Sequence, residues 1–171
     1  LKTLHLLRHA KSSWASPELA DHERDLNDRG RRDAPRMGAA LAEFCPPQPV
    51  DCSDALRARR TLAGLCAGWP ALATLPHRYH GALYTFDYRD LLDWLSRIGD
   101  DRERCFLIGH NPGLTDLCNQ LVGRPALDNL PTASYLQLSL PIAQWCEISE
   151  GCADLERWLF PRDLPRAPRG D

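Results

Sequence analysis

The opening segment LKTLHLLRHAKS constrains the chain more than any other, because a dense apolar run, Leu4, Leu6 and Leu7, stops at Arg8 and His9 with nothing apolar after it. The run is too apolar for a surface ribbon and too short for a helix, so it predicts a central strand of an α/β sheet. In open α/β sheets ligands bind at the carboxyl ends of strands, and this end delivers a guanidinium and an imidazole side by side.

The periodicities that follow suit the same class. Val50 to Ser53 predicts a short second strand. Cys105 to Ile108 is another unbroken apolar run, ending in Gly109-His110-Asn111-Pro112-Gly113. A helix is expected from Asp28, with Asn27 or Asp28 as N-cap and Met37, Leu41 and Phe44 on one face, and Pro35 within it favours a first turn or a kink at that point. Further helices are expected from Ala55 to Cys66, opened by Arg57, Arg59 and Arg60, and from Tyr88 to Ile98. Another should follow Asn111 as N-cap and Pro112 as first helical residue. A short strand near Leu75 and strands over 134–140, 145–149 and 155–160 complete the reading. The segment AKSSWASPELADHERDLND is a long loop, and loops of that length in compact domains are usually functional or disordered.

A chain of 171 residues fits one domain. We expect residues 1–161 to form it, with 162–171, rich in Pro and Arg, as a frayed tail. The 21 Lys and Arg against 23 Asp and Glu leave a formal charge of −2, so no global field favours nucleic acid or an anionic membrane, and any anion site must be local. The basic runs at Arg29, Arg31 and Arg32 and at Arg59 and Arg60 read as solvated helix faces. No run approaches the roughly 18 apolar residues of a membrane helix, and no signal-peptide region opens the sequence, so a cytoplasmic location is expected. The seven cysteines are odd in number and include no C-x-x-C pair, which suits reduced core residues. His5 and His9 lack a third ligand at sensible spacing, so no metal is expected. His77 and His80 flank Tyr79 in a loop-like stretch and suit the surface better than substrate contact.

Three pieces share one geometry: Arg8-His9 and His110 each end a buried strand, and Arg57 opens a helix just after another. Parallel strands put such ends on one edge, which would gather two imidazoles and two guanidiniums. Arginine forks match phosphate oxygens, and a helix N-terminus after Asn111 would add N–H groups. The expected ligand is a phosphoryl group. A neutral imidazole can attack phosphorus and form a covalent intermediate that water hydrolyses, while the guanidiniums and the second imidazole stabilise the transferring group.

The segments LLRHAKSSW, ALRARRT and LIGHNPG, in this order and spacing, resemble the histidine phosphatase superfamily, and within it the short SixA-type phosphohistidine phosphatases. The resemblance runs to about Phe160 and includes RDLNDRGRRDAPRMG and NLPTAS. It implies a three-layer α/β/α, phosphoglycerate mutase-like fold with a mostly parallel central sheet. It also implies His9 as phosphorylated nucleophile, with Arg8, Arg57 and His110 binding and stabilising the phosphoryl group, and neither metal nor organic cofactor. The expected partner is a phosphohistidine-bearing protein. A small phosphorylated metabolite, or a phosphate-binding module without catalysis, stands as the alternative.

Two departures stand out. Relatives commonly have Ser-Pro where this chain has Ser53-Asp54, and the extra carboxylate could cap the Arg57 helix or oppose anion binding. Larger members supply an acid from mid-chain, where Asp87 is the nearest candidate, though a helix-start carboxylate is the plainer reading. Without such an acid, a phosphohistidine suits the site, because imidazole leaves phosphorus with less proton assistance than an alkoxide needs. In the long loop, Arg24 could reach the pocket, and Trp14 could wall it or anchor the loop.

Overall fold

Alternation along the first strand decides the layering. In β1 (Lys2–Arg8) Leu4 and Leu6 point to one side of the sheet and Leu7 to the other. The computed structural model describes residues 1–166. After the long loop come α1 (Asp28–Ala42), β2 (Asp51–Ser53), α2 (Leu56–Gly68) and the single turn α3 (Pro70–Ala73). Then follow β3 (Arg78–His80), α4 (Tyr88–Ser96), β4 (Arg104–Gly109), α5 (Gly113–Val122), β5 (Tyr135–Leu140) and β6 (Asp154–Leu159).

The six strands form one sheet in the order β3-β2-β4-β1-β5-β6. The first four run parallel, and β5 and β6 close one side antiparallel. Met37 and Leu41 of α1 and Leu62 and Leu65 of α2 pack with Leu7, Phe106 and Ile108 on one face. Leu91 and Leu95 of α4 and Leu114, Leu117 and Leu121 of α5 pack with Leu4, Leu6 and Leu107 on the other. This is the expected three-layer α/β/α arrangement.

Local chemistry explains the boundaries. The Asn27 side chain accepts from the Gly30 amide at 2.9 Å and caps α1, which runs unbroken through Pro35. The strand expected near Leu75 lies later, at Arg78–His80, because the Leu75 amide is taken by Leu72 in the turn that ends α3. Residues 145–149 do not form the expected strand. Trp145 is buried, with its indole N–H on the Arg102 carbonyl at 2.8 Å and its amide on the Asp100 carboxylate at 3.0 Å, and this anchoring coils Trp145–Glu147 into a 3₁₀ turn. The fifth helix begins at Gly113, one residue past the expected Pro112, so Pro112 rather than Asn111 takes the N-cap position, and Asn111 accepts from the Thr115 amide at 3.1 Å from one residue further back.

Beyond β6 the chain turns back onto α1, where Arg36 donates to the carbonyls of Leu164 at 3.3 Å and Pro165 at 2.9 Å. Residues 167–171, the remainder of the segment expected to fray, lie outside the described residues. All seven cysteines are free thiols, and Cys146 is exposed rather than in the core. Among the described residues no helix is long and apolar enough to cross a membrane.

The close crossing of α1 and α2 depends on a missing side chain. A Cβ on Gly38 would sit 2.3 Å from the Leu65 carbonyl oxygen, a backbone atom that cannot swing aside. Gly38→Ala should therefore force the helices apart and lower stability by about 2–3 kcal/mol, read as a drop in urea midpoint with little change in helical circular dichroism.

Candidate active site

Parallel pairing sets the site. Arg8 lies opposite Gly109 in the β1–β4 ladder, so the next residues, His9 and His110, leave adjacent strands at the same edge. The His9 amide donates to the Gly109 carbonyl at 3.1 Å, which ties the two ends together. The imidazoles face each other with ring centroids 5.2 Å apart and planes 50° from parallel. The edge of β2 brings Ser53, whose hydroxyl oxygen is 2.7 Å from His110 Nε2 and also accepts from the Ala55 amide at 3.3 Å.

Each histidine has its tautomer set by these bonds. His9 donates Nδ1–H to the Ala10 carbonyl at 2.7 Å, leaving a lone pair on Nε2. The Ser53 O–H has no other acceptor among the described residues, so it donates to His110 Nε2, and His110 keeps its proton on Nδ1. Burial pulls the His9 pKa down to about 3, with Arg57, Arg8 and Arg24 pushing the same way and the Ala10 carbonyl opposing. Burial, then His9 and Arg57, pull His110 down to about 2. Both rings are neutral near pH 7, one presenting a lone pair and the other an N–H.

The guanidiniums surround this pair. Arg57, in the first turn of α2, is 2% exposed, and Arg8 donates to the Leu130 carbonyl at 2.9 Å, fixing it to the NLPTAS segment. Burial, then the neighbouring Arg57, push the Arg8 pKa below its usual value. The same segment holds Ala133 at φ 59°, with its amide directed at the carbonyls of Arg8 and His9, both 3.1 Å away. That left-handed backbone is strained for a residue with a Cβ, and it brackets the strand end that carries both site residues. His110 Nδ1, Arg8 Nε and Arg57 Nε are buried and have no hydrogen-bond partner among the described residues. A buried donor without a partner costs roughly 1–3 kcal/mol, so three of them suit an acceptor-rich anion.

Three residues that the sequence patterns did not single out complete the site: Ser53 in this role, Tyr84 and Asp21. Asp21 opens a 3₁₀ turn in the long loop. Arg57 donates to its backbone carbonyl at 2.7 Å and to its carboxylate at 2.9 Å, Arg24 donates to the carboxylate at 3.2 Å, and so does the Tyr84 hydroxyl. Burial would raise the Asp21 pKa, but the Tyr84, Arg57 and Arg24 hydrogen bonds outweigh it and bring it to about 2. Tyr84 and Phe86 stand edge-on to His110 at 5.4 and 5.6 Å. No periodicity marks residues 9–27 or 81–87, which is why neither Asp21 nor Tyr84 is visible in the sequence.

The remaining candidates have ordinary partners. Asp87 caps α4 through the Arg89 amide at 2.9 Å and pairs with the Arg89 side chain at 2.7 Å. Asp54 neither caps α2 nor reaches Arg57; it holds His22 Nε2 at 2.8 Å. Arg24 reaches the site through Asp21 and is covered by Trp14, its guanidinium 3.7 Å from the ring centre. His77 bonds the Val50 amide and Leu72 carbonyl, and His80 bonds Asp51 at 2.9 Å, so both serve structure rather than a free surface. Among the described residues no cluster of His, Cys, Asp and Glu could hold a metal ion.

A family model described as the histidine phosphatase superfamily (branch 1) matches residues 4–91. An uncharacterised protein of Mycobacterium tuberculosis is 31% identical over 166 residues, covering 91% of this chain and all of that one. Among solved structures, a Nakamurella multipartitia protein proposed to be the phosphohistidine phosphatase SixA superposes with a TM-score of 0.77 at 25% identity, over 94% of this chain and 96% of that chain. The protein histidine phosphatase SixA bound to tungstate shares the fold at 0.74 and 18% identity, over 94% and 98%. A mycobacterial glucosyl-3-phosphoglycerate phosphatase shares it at 0.62 and 17% identity, over 92% and 98%.

The depressed histidines make stability depend on pH. Below the ordinary value of 6.5 the unfolded chain binds protons that folded His9, His110 and His5 do not; His5, buried and near Arg104, is lowered to about 4. Stability should therefore be full above pH 6.5 and fall as pH drops toward 4, by up to about 1.4 kcal/mol per pH unit for each histidine. Urea midpoints at pH 7.5 and 5 measure this directly, and His5→Phe should flatten the slope.

Proposed function

The chain belongs to the histidine phosphatase superfamily, and from that premise we propose that it is a phosphatase acting through a phosphohistidine intermediate on His9, with phosphohistidine in a protein as its substrate. The observation that carries the reading is the facing His9–His110 pair, one ring offering a lone pair and the other an N–H, among buried guanidiniums with unpartnered donors.

In this mechanism His9 Nε2 attacks phosphorus, the N–P bond forms and the bond to the leaving group breaks. The phosphorylated ring keeps Nδ1–H on the Ala10 carbonyl, so that carbonyl stabilises the positive charge the ring acquires. Arg8 and Arg57 donate to the equatorial oxygens with His110 Nδ1–H, and their donors are in place before charge builds up. Water then attacks the same phosphorus and frees His9. Each step uses groups of this chain alone, with neither metal nor organic cofactor.

Two features favour a protein as the phosphoryl carrier. Only residues 81–87 connect β3 to α4 beside the site, and the flanking Trp14 and Phe86 are 72% and 46% exposed, so large side chains beside the site are free to meet a protein surface. Asp87, occupied by Arg89, provides no acid for a poor leaving group. The fold shared with a glucosyl-3-phosphoglycerate phosphatase supports a second reading, in which the substrate is a small phosphorylated metabolite. On either reading we assign residues 1–161 to the phosphatase domain and a cytoplasmic location.

Incubation with a phosphohistidine protein labelled at phosphorus should give an acid-labile, base-stable adduct on His9. His9→Ala should abolish the adduct and lower turnover by about 10³-fold or more. An adduct that survives the substitution would contradict the assignment. Initial rates on a phosphohistidine protein beside a panel of small phosphoesters decide the substrate, with the protein expected to be preferred.

A further inference from the structure

We propose that Asp21 is a specificity-determining residue: its carboxylate stands ionised at the mouth of the site and receives the ring N–H of a protonated phosphohistidine, favouring phosphorus–nitrogen substrates over phosphoesters. The assignment rests on the phosphatase reading above and concerns the same site.

Depth gives the direction of the reaction. His9, His110 and Arg57 form the floor and are 6%, 1% and 2% exposed, whereas the Asp21 side chain is 42% exposed. In-line displacement by a nucleophile on the floor sends the leaving group outward, past Asp21 and Tyr84. Arg57 grips Asp21 with its two terminal nitrogens and keeps Nε without a partner. A phosphoryl oxygen can therefore take Nε while the Asp21 contact holds.

The charges facing Asp21 from each neighbouring element keep it ionised. Arg57 comes from α2, Arg24 from the same loop and the Tyr84 hydroxyl from the segment after β3. Arg8 and His9 lie at the end of β1 and the neutral His110 at the end of β4. Within its own turn are Glu23 and His22, the latter paired with Asp54. Two guanidiniums and a phenol donating to one carboxylate account for its depressed pKa of about 2. Such a carboxylate carries no proton for an alkoxide, and it repels the negative charge that grows on one.

A phosphohistidine leaves differently. Its reactive form carries a proton on the ring nitrogen not bonded to phosphorus. The bond from phosphorus to His9 Nε2 forms, the old phosphorus–nitrogen bond breaks, and its electron pair returns to the ring, which departs as neutral imidazole with the proton it brought. No proton has to be supplied. A carboxylate at the mouth binds the protonated ring before reaction and raises its pKa in the complex, so more substrate is in the reactive form. The tighter capture of the protonated ring belongs in kcat/KM, and its raised pKa in the complex belongs in the basic limb of the kcat profile.

The test compares free phosphohistidine with 4-nitrophenyl phosphate on the full-length protein and on Asp21→Asn. The ratio of kcat/KM values, phosphohistidine over phosphoester, should fall tenfold to a hundredfold, roughly the worth of a hydrogen bond to a charged group. The basic limb of the kcat profile for phosphohistidine should move to lower pH in Asp21→Asn. Asp21→Ser is the second variant should Asn impair folding, and vanadate binding shows whether the pocket of each is intact. Equal losses on both substrates, an unmoved ratio, or tighter vanadate binding with an unmoved ratio would overturn the assignment and leave Asp21 as a holder of Arg57. Absence of wild-type turnover on both substrates would instead overturn the phosphatase reading, and this assignment with it.

Discussion

A guanidinium exposed to only 2% must find an anion or a ring of acceptors, and in this protein Arg57 finds Asp21. Desolvating an unpaired cation costs several kcal/mol, more than most single contacts return, so the pairing dictates much around it. It draws the middle of the long loop over the start of α2, brings Tyr84 in to share the carboxylate, and lets Arg24 bridge Asp21 to Ser12 at 2.8 Å. A nineteen-residue connection with no helix or strand of ordinary length thereby acquires a fixed course. The same contact leaves Arg57 Nε unpartnered, so the fold is stabilised without exhausting the donors the site uses.

The second constraint is the close approach of like groups at one sheet edge. Two imidazoles with centroids 5.2 Å apart, among buried arginines, cannot both be charged, and burial resolves the conflict by keeping both neutral. The protein then differentiates two equivalent rings through their hydrogen bonds alone. A carbonyl on Nδ1 of His9 and a serine hydroxyl on Nε2 of His110 give the rings opposite presentations. Ser53 does this from a strand only three residues long, which shows how short an element can matter when it lies beside the central strands. Thr61 adds a further tie, accepting from the Ala10 amide at 2.9 Å and donating to the Arg57 carbonyl at 2.7 Å, so the two halves of the site share one hydroxyl.

The carboxylates near the site divide by what they hold. Asp54 and Asp87, the two conspicuous in the sequence, turn to His22 and Arg89. Asp21, in a stretch with no periodicity, is the one aimed at Arg57. A carboxylate chooses the cation it can reach at least desolvation cost, and reach is a property of the folded loop rather than of spacing along the chain.

What the sequence settled by itself was everything governed by local period and strand ends. Alternation in Leu4, Leu6 and Leu7 gave the sheet two covered faces, Asn27 started α1 where its side chain could cap it, and two apolar runs ending in histidine implied that His9 and His110 would share an edge, since parallel strands align their carboxyl ends. What only the tertiary structure decided was everything that depends on side chains meeting across loops: Asp21 on Arg57, Ser53 on His110, Trp145 coiled into a turn against the Arg102 carbonyl instead of extended in a strand. Period and capping are interactions over a few residues and leave a pattern, whereas these contacts join residues 36, 57 and 43 positions apart and leave none.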